Sequence, residues 1–373
     1  MSEITVSSRK SRLSLMELVE TLDRLRRSKR DFVADVRTLM VVANASLSLA
    51  AKPGHTAAFD DFLPFTQKGL EQLGERLSPS VPSKFLRAYS AKYPHDCART
   101  LTTLLGGSGD DPETKTNLIR CLDGKVRAVL SPKYKILDHW DTAIQTLDVA
   151  KEFNAYPVEC DLTDSHMRIK LTTQSVFDMV NYRNHGGPSA DILRTIAPQL
   201  KDDKDTRNTV HPYIVITNSE TGDGGFNIST GIFDPVCKNG LVIDRAMRAV
   251  HIGRELSIGT LSQEAIEADS KAIMLKARDL LRAAFNPEVF KAQVAKVQAA
   301  AGEKIDNPVA AIQEVITTNN LPESLSESIL SHFMDYDKSK FGLASAVSRM
   351  AQDVEDSSLA SDLESIAGRL LAV

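Results

Sequence analysis

Three regimes of hydrophobic patterning follow one another along the chain. In the first 110 residues the spacing is helical. Leu15, Leu18, Leu22 and Leu25 recur at intervals of 3, 4 and 3, which puts them on one helix face. Gln67–Leu77 and Ser83–Tyr93 continue the helical reading, with Pro79 and Pro82 between them as breakers. In the middle the period shortens. Val126–Leu130 reads as a strand ended by Ser131-Pro132, and Asp138–Phe153 as a helix with Asp138 at its N-cap. Pro157–Leu162 and Met167–Leu171 alternate apolar and polar positions around Thr163–His166, the pattern of a β-hairpin with one solvated face. Tyr213–Thr217 and Phe226–Phe233 repeat it around a Thr221–Gly225 turn, whose glycines supply positive φ. Beyond Gly240 the spacing is helical to the end, with helices opened by Pro287, Pro308 and Pro322 and a last stripe of Leu363, Ile366 and Leu370.

The fold expected from this pattern is α+β: a central antiparallel or mixed sheet of hairpins flanked by helical N- and C-terminal regions. The expected divisions are a helical region over 1–110, an α/β core with two hairpins over 111–256, and a helical region over 257–373 packed on the core. The breaker cluster Gly106-Gly107-Ser108-Gly109-Asp110-Asp111-Pro112 marks the first boundary. No Lys-Ser/Thr follows it, so it reads as a linker rather than a phosphate loop. Residues 178–209 read as a polar excursion with a short helix near Ile192–Ile196.

Composition narrows the function classes. Of 373 residues 42% are apolar and 25% charged, enough to bury a core, and with one tryptophan, Trp140, that core must be mainly aliphatic. The net charge of −4 means that any nucleic-acid site must be a local patch. Cys97, Cys121, Cys160 and Cys237 lie far apart, without zinc spacing or a disulfide framework. With no leader pattern at the start, a cytoplasmic location is expected. The longest apolar stretch, Leu39–Ala51, is interrupted by Asn44, Ser46 and Ser48 and falls short of the roughly 20 residues a bilayer span needs. No membrane partner is expected.

Four stretches carry a resemblance. Val126-Arg127-Ala128-Val129-Leu130-Ser131-Pro132-Lys133-Tyr134 with Leu137-Asp138, then Asn218-Ser219-Glu220-Thr221-Gly222, then Val236-Cys237-Lys238-Asn239-Gly240-Leu241 with His251-Ile252-Gly253, and finally the helix Lys340–Gln352 stand in order. Together they resemble a phage- and plasmid-borne family, the domain of unknown function nine-three-two, often labelled phage/plasmid-like protein. The likeness covers about residues 120–373. In the last stretch Ser345 and Ser348 stand where the family pattern has Asn and Thr. The resemblance implies residence on a mobile element, and so a host-cell cytoplasm if phage-encoded. It brings no established reaction.

The chemistry the residues suggest is binding. Arg245, Arg248, His251 and Arg254 recur every third residue, which on a helix makes one slanted stripe able to meet phosphates. Lys125, Arg127, Lys133, Lys135, Arg168 and Lys170 would form the other wall of such a groove, with Tyr134, Tyr182 or Tyr213 stacking bases. The plainer reading is an exposed charged face, or ion pairs to carboxylates on the sheet. Asn218, Glu220 and Asn239 form a candidate polar site; the alternative is that they satisfy backbone groups at strand ends. His139 reads as a cap neighbour or a surface residue, His166 as an exposed turn residue, and His185 and His211 as flanks of the excursion. Cys237 reads as a core cysteine. No catalytic residue, metal or cofactor is assigned. The first functional expectation is nucleic-acid binding in mobile-element replication or recombination, single-stranded DNA foremost, including strand annealing with self-association into an oligomer. The second is a protein–protein assembly or host-takeover factor using the helical ends and the acidic tail. The third is an enzyme built on Asn218, Glu220, Asn239 and His251.

Overall fold

The computed structural model describes residues 12–55, 59, 62–78, 82–107, 115–181, 207–234, 239–249 and 263–371. The molecule is α+β with antiparallel sheets throughout. The central sheet runs β1 (Arg12–Leu13), β8 (Ala155–Leu162), β9 (His166–Thr173), β11 (Arg207–Ser219), β12 (Phe226–Asp234) and β13 (Asn239–Ala249), and β10 (Asp178–Asn181) joins β11 beside β9. Both expected hairpins are present: Ile169 pairs with Cys160, and Ile216 with Ile228.

One face of this sheet is apolar. Met167, Ile169, Leu171, Ile214, Ile216 and Ile228 pack under α1 (Leu15–Ser28), α5 (His139–Glu152) and α6 (Gln263–Ala284). Helix α1 starts at a capping box in which Ser14 and Glu17 bond each other's backbone N–H. It buries Leu18 and Leu22, as their spacing requires. The other face carries Asp161, Arg168, Lys170 and Tyr213. It was expected to be wet and is not: these residues are buried. The covering layer is built by α7 (Pro287–Gly302), α8 (Pro308–Thr318), α9 (Ser326–Phe333), α10 (Lys340–Asp353) and α11 (Ser357–Leu371), which share one apolar cluster with Val180, Val210, Ile232 and Leu241 of the sheet. Asn286 and Asn307 cap α7 and α8 with Pro at the first helical position. A side chain at Gly368 of α11 would collide with the Val242 carbonyl, so this helix lies directly on the β13 backbone.

The N-terminal third departs from the helical expectation. It contains α2 (Gln67–Leu77), α3 (Ser83–Lys92) and α4 (Pro94–Gly107) but also β2 (Arg30–Asp35), β3 (Leu39–Ala43), β4 (Leu47–Ala51) and β5 (Leu63–Pro64). The apolar stretch Leu39–Ala51 is a hairpin whose polar interruptions are its turn: Ser46 N–H bonds Asn44 Oδ1 at 3.2 Å. β2 pairs with β6 (Thr116–Leu122), which pairs with β7 (Lys125–Leu130). A sheet therefore spans the division expected at residue 110. β6 and β7 are joined by Asp123-Gly124, both at positive φ (48° and 71°), as a tight two-residue hairpin demands.

The stretch after Gly240 is also corrected. Residues 239–249 form a strand, not a helix. Arg245 stands opposite Ser229 and Arg248 opposite Asn227. In a strand successive positions alternate faces, so the slanted helical stripe of Arg245, Arg248, His251 and Arg254 does not exist as expected. His251 and Arg254 lie outside the described residues, as do the expected short helix near 192–196, His185, Tyr182 and Cys237. No helix among the described residues is long and apolar enough to cross a membrane.

Candidate functional site

Among the described residues three places stand out, and they differ in what they can do. The first is a buried joint around Glu220, at the turn following β11. Arg127 on β7 pairs with Glu220 Oε2, while the backbone N–H of His139 donates to Oε1 at 2.6 Å. Arg120 on β6 is fully buried and donates three ways: to Asp31 (3.0 Å), to Asp138 (2.8 Å) and to the Glu220 carbonyl (2.9 Å). Asp138 is the N-cap of α5 but makes no side-chain cap bond, because its carboxylate serves Arg120 and Lys29. Asn218 Nδ2 donates to the Leu137 carbonyl at 2.8 Å and to His139 Nδ1 at 3.1 Å. The carbonyl acceptor fixes the amide orientation, so the histidine proton resides on Nε2.

Two of the family-like stretches thus interlock. Tyr134 OH donates to the Ser219 carbonyl at 3.0 Å, and a side chain on Gly222 would strike Leu130. Helix α2 joins them. Gln72 accepts from Val129 N–H (3.0 Å) and donates to the Thr221 carbonyl (2.5 Å). Lys68 pairs with Asp223.

The electrostatics argue against catalysis here. Burial alone would raise the Glu220 carboxyl. The His139 ring, the Arg127 and Arg120 guanidinium groups and the His139 N–H more than offset that and hold it well below the usual range. Burial pushes the His139 imidazole down to about 4 against the opposing pull of Glu220, so it is neutral at pH 7. A fully ionised carboxylate with both oxygens occupied is a poor base. The adjoining cavity, bounded by Lys29, Asp138, His139, Trp140 and Glu220, measures about 40 Å³, room for about one water. Of the two readings expected for His139, it is the cap neighbour, next to Asp138, and it is buried rather than at the surface.

The second place is the charged face of the first hairpin. Arg168 pairs with Glu364 of α11, and Lys170 pairs with Glu159 and, at 2.8 Å, with Glu364. These cations and Arg127 were expected to line a phosphate groove; each is buried and neutralised by a carboxylate. Lys135 is buried too. Of that wall Lys125 and Lys133 are exposed. Glu364, one of the acidic residues near the end of the chain, is interior. The third and fourth family-like stretches meet nearby, where Ser348 Oγ donates to the Gly240 carbonyl at 2.9 Å. Asn239 pairs in register with Asp234, where β12 ends, whereas Asn218 belongs to the other end of β11. Asn218 and Glu220 share one site; Asn239 is not part of it.

The third place escaped the sequence reading. Helix α3 presents Phe85, Tyr89 and Tyr93 in a row. The Phe85 and Tyr89 rings stack with centroids 5.6 Å apart and planes at 22°, and Tyr93 follows at 6.1 Å. Phe85 is 57% exposed and Tyr93 48%. Lys84, Arg87 and Lys92 are exposed among them. Lys92 Nζ lies 5.4 Å from the Tyr93 centroid. Residues 83–93 contain these three cations and no carboxylate. Arg87 contacts Glu71 at 2.7 Å, whereas Lys84 and Lys92 enter no ion pair among the described residues. On the opposite side Leu86 is buried in the notch left by Gly74 of α2. The signal was legible as aromatic residues at i, i+4 and i+8 with cations interleaved.

Comparison with known proteins gives no match: no family model, no curated protein and no solved structure. The likeness to the phage- and plasmid-borne family rests on the four stretches themselves.

Proposed function

We propose that this is a non-enzymatic nucleic-acid-binding protein, of the kind mobile elements use in replication or recombination, and that it grips single strands on the exposed face of α3. The observation that carries the reading is the Phe85–Tyr89–Tyr93 row with Lys84, Arg87 and Lys92 among the rings. Bases unstacked from a duplex offer π faces to such rings, and each base stacked is worth about 1–3 kcal/mol. The ammonium and guanidinium groups meet the phosphates between them. Single strands are favoured because a duplex hides its base faces. With Arg87 held by Glu71, the charges of Lys84 and Lys92 supply the local positive patch that reconciles phosphate binding with the acidic chain as a whole.

The test is fluorescence anisotropy with labelled single- and double-stranded DNA at several salt concentrations. Single strands should bind more tightly, with affinity falling as salt rises. Phe85→Ala with Tyr93→Ala should remove most of the single-strand binding while circular dichroism stays unchanged. Absence of binding at low salt, or full binding by that double variant, would overturn the proposal. The resemblance adds the setting, a phage or plasmid, as part of the same proposal.

A further inference from the structure

We infer that the α3 row selects pyrimidine-rich single strands, thymine or uracil tracts above all, and seats three consecutive nucleotides, one to a ring. The inference rests on the nucleic-acid reading and names the strand which that reading leaves open. The ring spacing carries it. Phe85 and Tyr89 have centroids 5.6 Å apart, and Tyr89 and Tyr93 6.1 Å. Stacked bases follow one another at about 3.4 Å along a strand. Two neighbouring bases that each contact their own ring are therefore too far apart to stack on each other. The same holds over the whole row. From Phe85 to Tyr93 is about 12 Å of helix, whereas three stacked bases cover about 7 Å. The spacing is also fixed from behind: Leu86 fills the notch at Gly74 of α2, and Tyr89 packs partly on the interior.

A strand on this row must be drawn out, and each base exchanges its stack on a neighbouring base for a stack on a ring. That exchange separates the bases. Adenine stacks strongly on adenine, so an adenine tract loses in unstacking much of what the rings return. Thymine and uracil stack weakly on their own kind, so nearly all of the ring contact is retained as affinity. The charges fit the same drawn-out strand. Lys84 and Lys92 are exposed and enter no ion pair among the described residues, while Arg87 between them is held by Glu71. Lys84 neighbours Phe85 in the chain, and Lys92 Nζ lies 5.4 Å from the Tyr93 centroid. One free ammonium thus serves each end of the row, where the phosphates flanking a three-nucleotide run would lie.

Fluorescence anisotropy of the full chain with labelled twelve-nucleotide oligothymidylate and oligoadenylate, in one low-salt buffer, tests the base preference. Oligothymidylate should bind about fivefold more tightly or better. Unlabelled thymidylates of one to six nucleotides, used as competitors, test the count. Affinity should rise by about fivefold or more from two nucleotides to three, and by less than about twofold for each one added after that. In Phe85→Ala the row keeps two rings, so the break should move to two nucleotides; Tyr93→Ala shortens the row from its other end should the first variant fail to fold. Oligoadenylate binding within about twofold of oligothymidylate, or more tightly than it, overturns the inference and leaves the nucleic-acid reading standing. An even climb with length, or a break that stays at three in a folded shortened variant, does the same. Absence of binding by both tracts removes that reading and the inference together.

Discussion

The cations of this protein fall into two populations that look alike in the sequence and behave differently in the fold. Arg120, Arg127, Arg168 and Lys170 lie inside, each beside a carboxylate brought from far along the chain: Arg127 meets Glu220 and Arg168 meets Glu364. Lys84, Arg87 and Lys92 lie outside on one helix among aromatic rings; Arg87 also pairs with Glu71, whereas Lys84 and Lys92 enter no ion pair among the described residues. The first set is committed to holding elements together. The second keeps its charge available to a partner. A cluster of positive residues is therefore informative only once the side chains that answer it are known, and these are usually remote in sequence.

The sharpest way to break the comparison is to remove one interior partner. Glu364→Ala should take from the buried Arg168 the carboxylate it pairs with and leave Lys170 with Glu159 alone. It should cost about 3–5 kcal/mol in urea unfolding; a loss below about 1 kcal/mol would mean that the cluster is hydrated. Next in size is the pH response of the buried joint. The His139 imidazole is held down to about 4 in the fold, below its ordinary 6.5. Between those values the unfolded chain takes a proton that the folded one refuses. Stability therefore falls as pH drops from about 6.5 towards 4, by at most roughly 3 kcal/mol from this ring. The depressed Glu220 carboxyl adds a further loss that begins as pH falls through the ordinary carboxyl value of about 4.5, where the unfolded chain takes up a proton that the folded one refuses, and grows towards lower pH. Urea midpoints at pH 7 and pH 4.5 check the histidine part, and equal midpoints would contradict a neutral, enclosed ring.

On the exterior side the effects move to binding. Phe85→Ala and Tyr93→Ala should each weaken single-strand affinity by about 1–3 kcal/mol with little change in unfolding. The smallest effect sharpens the contrast most. Lys92→Ala should reduce the dependence of log affinity on log salt by about 0.7, one phosphate contact on a single strand. A substitution of interior Lys170 that leaves the chain folded should not alter that slope.

The parts of the fold legible in the sequence are those whose period matched their burial. Leu18 and Leu22 sit where their helical spacing puts them, and the strands around the turns 163–166 and 221–225 pair as their alternation implies. β6 was missed because its alternation is hidden: Asn117 and Arg120 are buried along with their apolar neighbours. The Asp123-Gly124 turn was the available clue. β13 was read as a helix because Arg245 and Arg248 share a spacing of three, which has no meaning for a strand. Of the candidate polar site, Asn218 and Glu220 converge with His139. That convergence depends on a long-range register, Asn218 opposite Met167 and Arg120 opposite Asp31, which no local pattern encodes. The α3 row is invisible to net charge and to clusters of arginine; its signal is rings at helical intervals, Phe85, Tyr89 and Tyr93.

The pairing of Arg168 with Glu364 also orders events during translation. The two residues are 196 positions apart, so at about 5–20 residues per second the carboxylate leaves the ribosome roughly 10–40 s after the guanidinium. Through that interval the polar side of the newly made hairpin has water, not α11, as its neighbour. Only when α11 arrives can that side dehydrate, which makes the closing of the central sheet a late step in the life of each nascent chain.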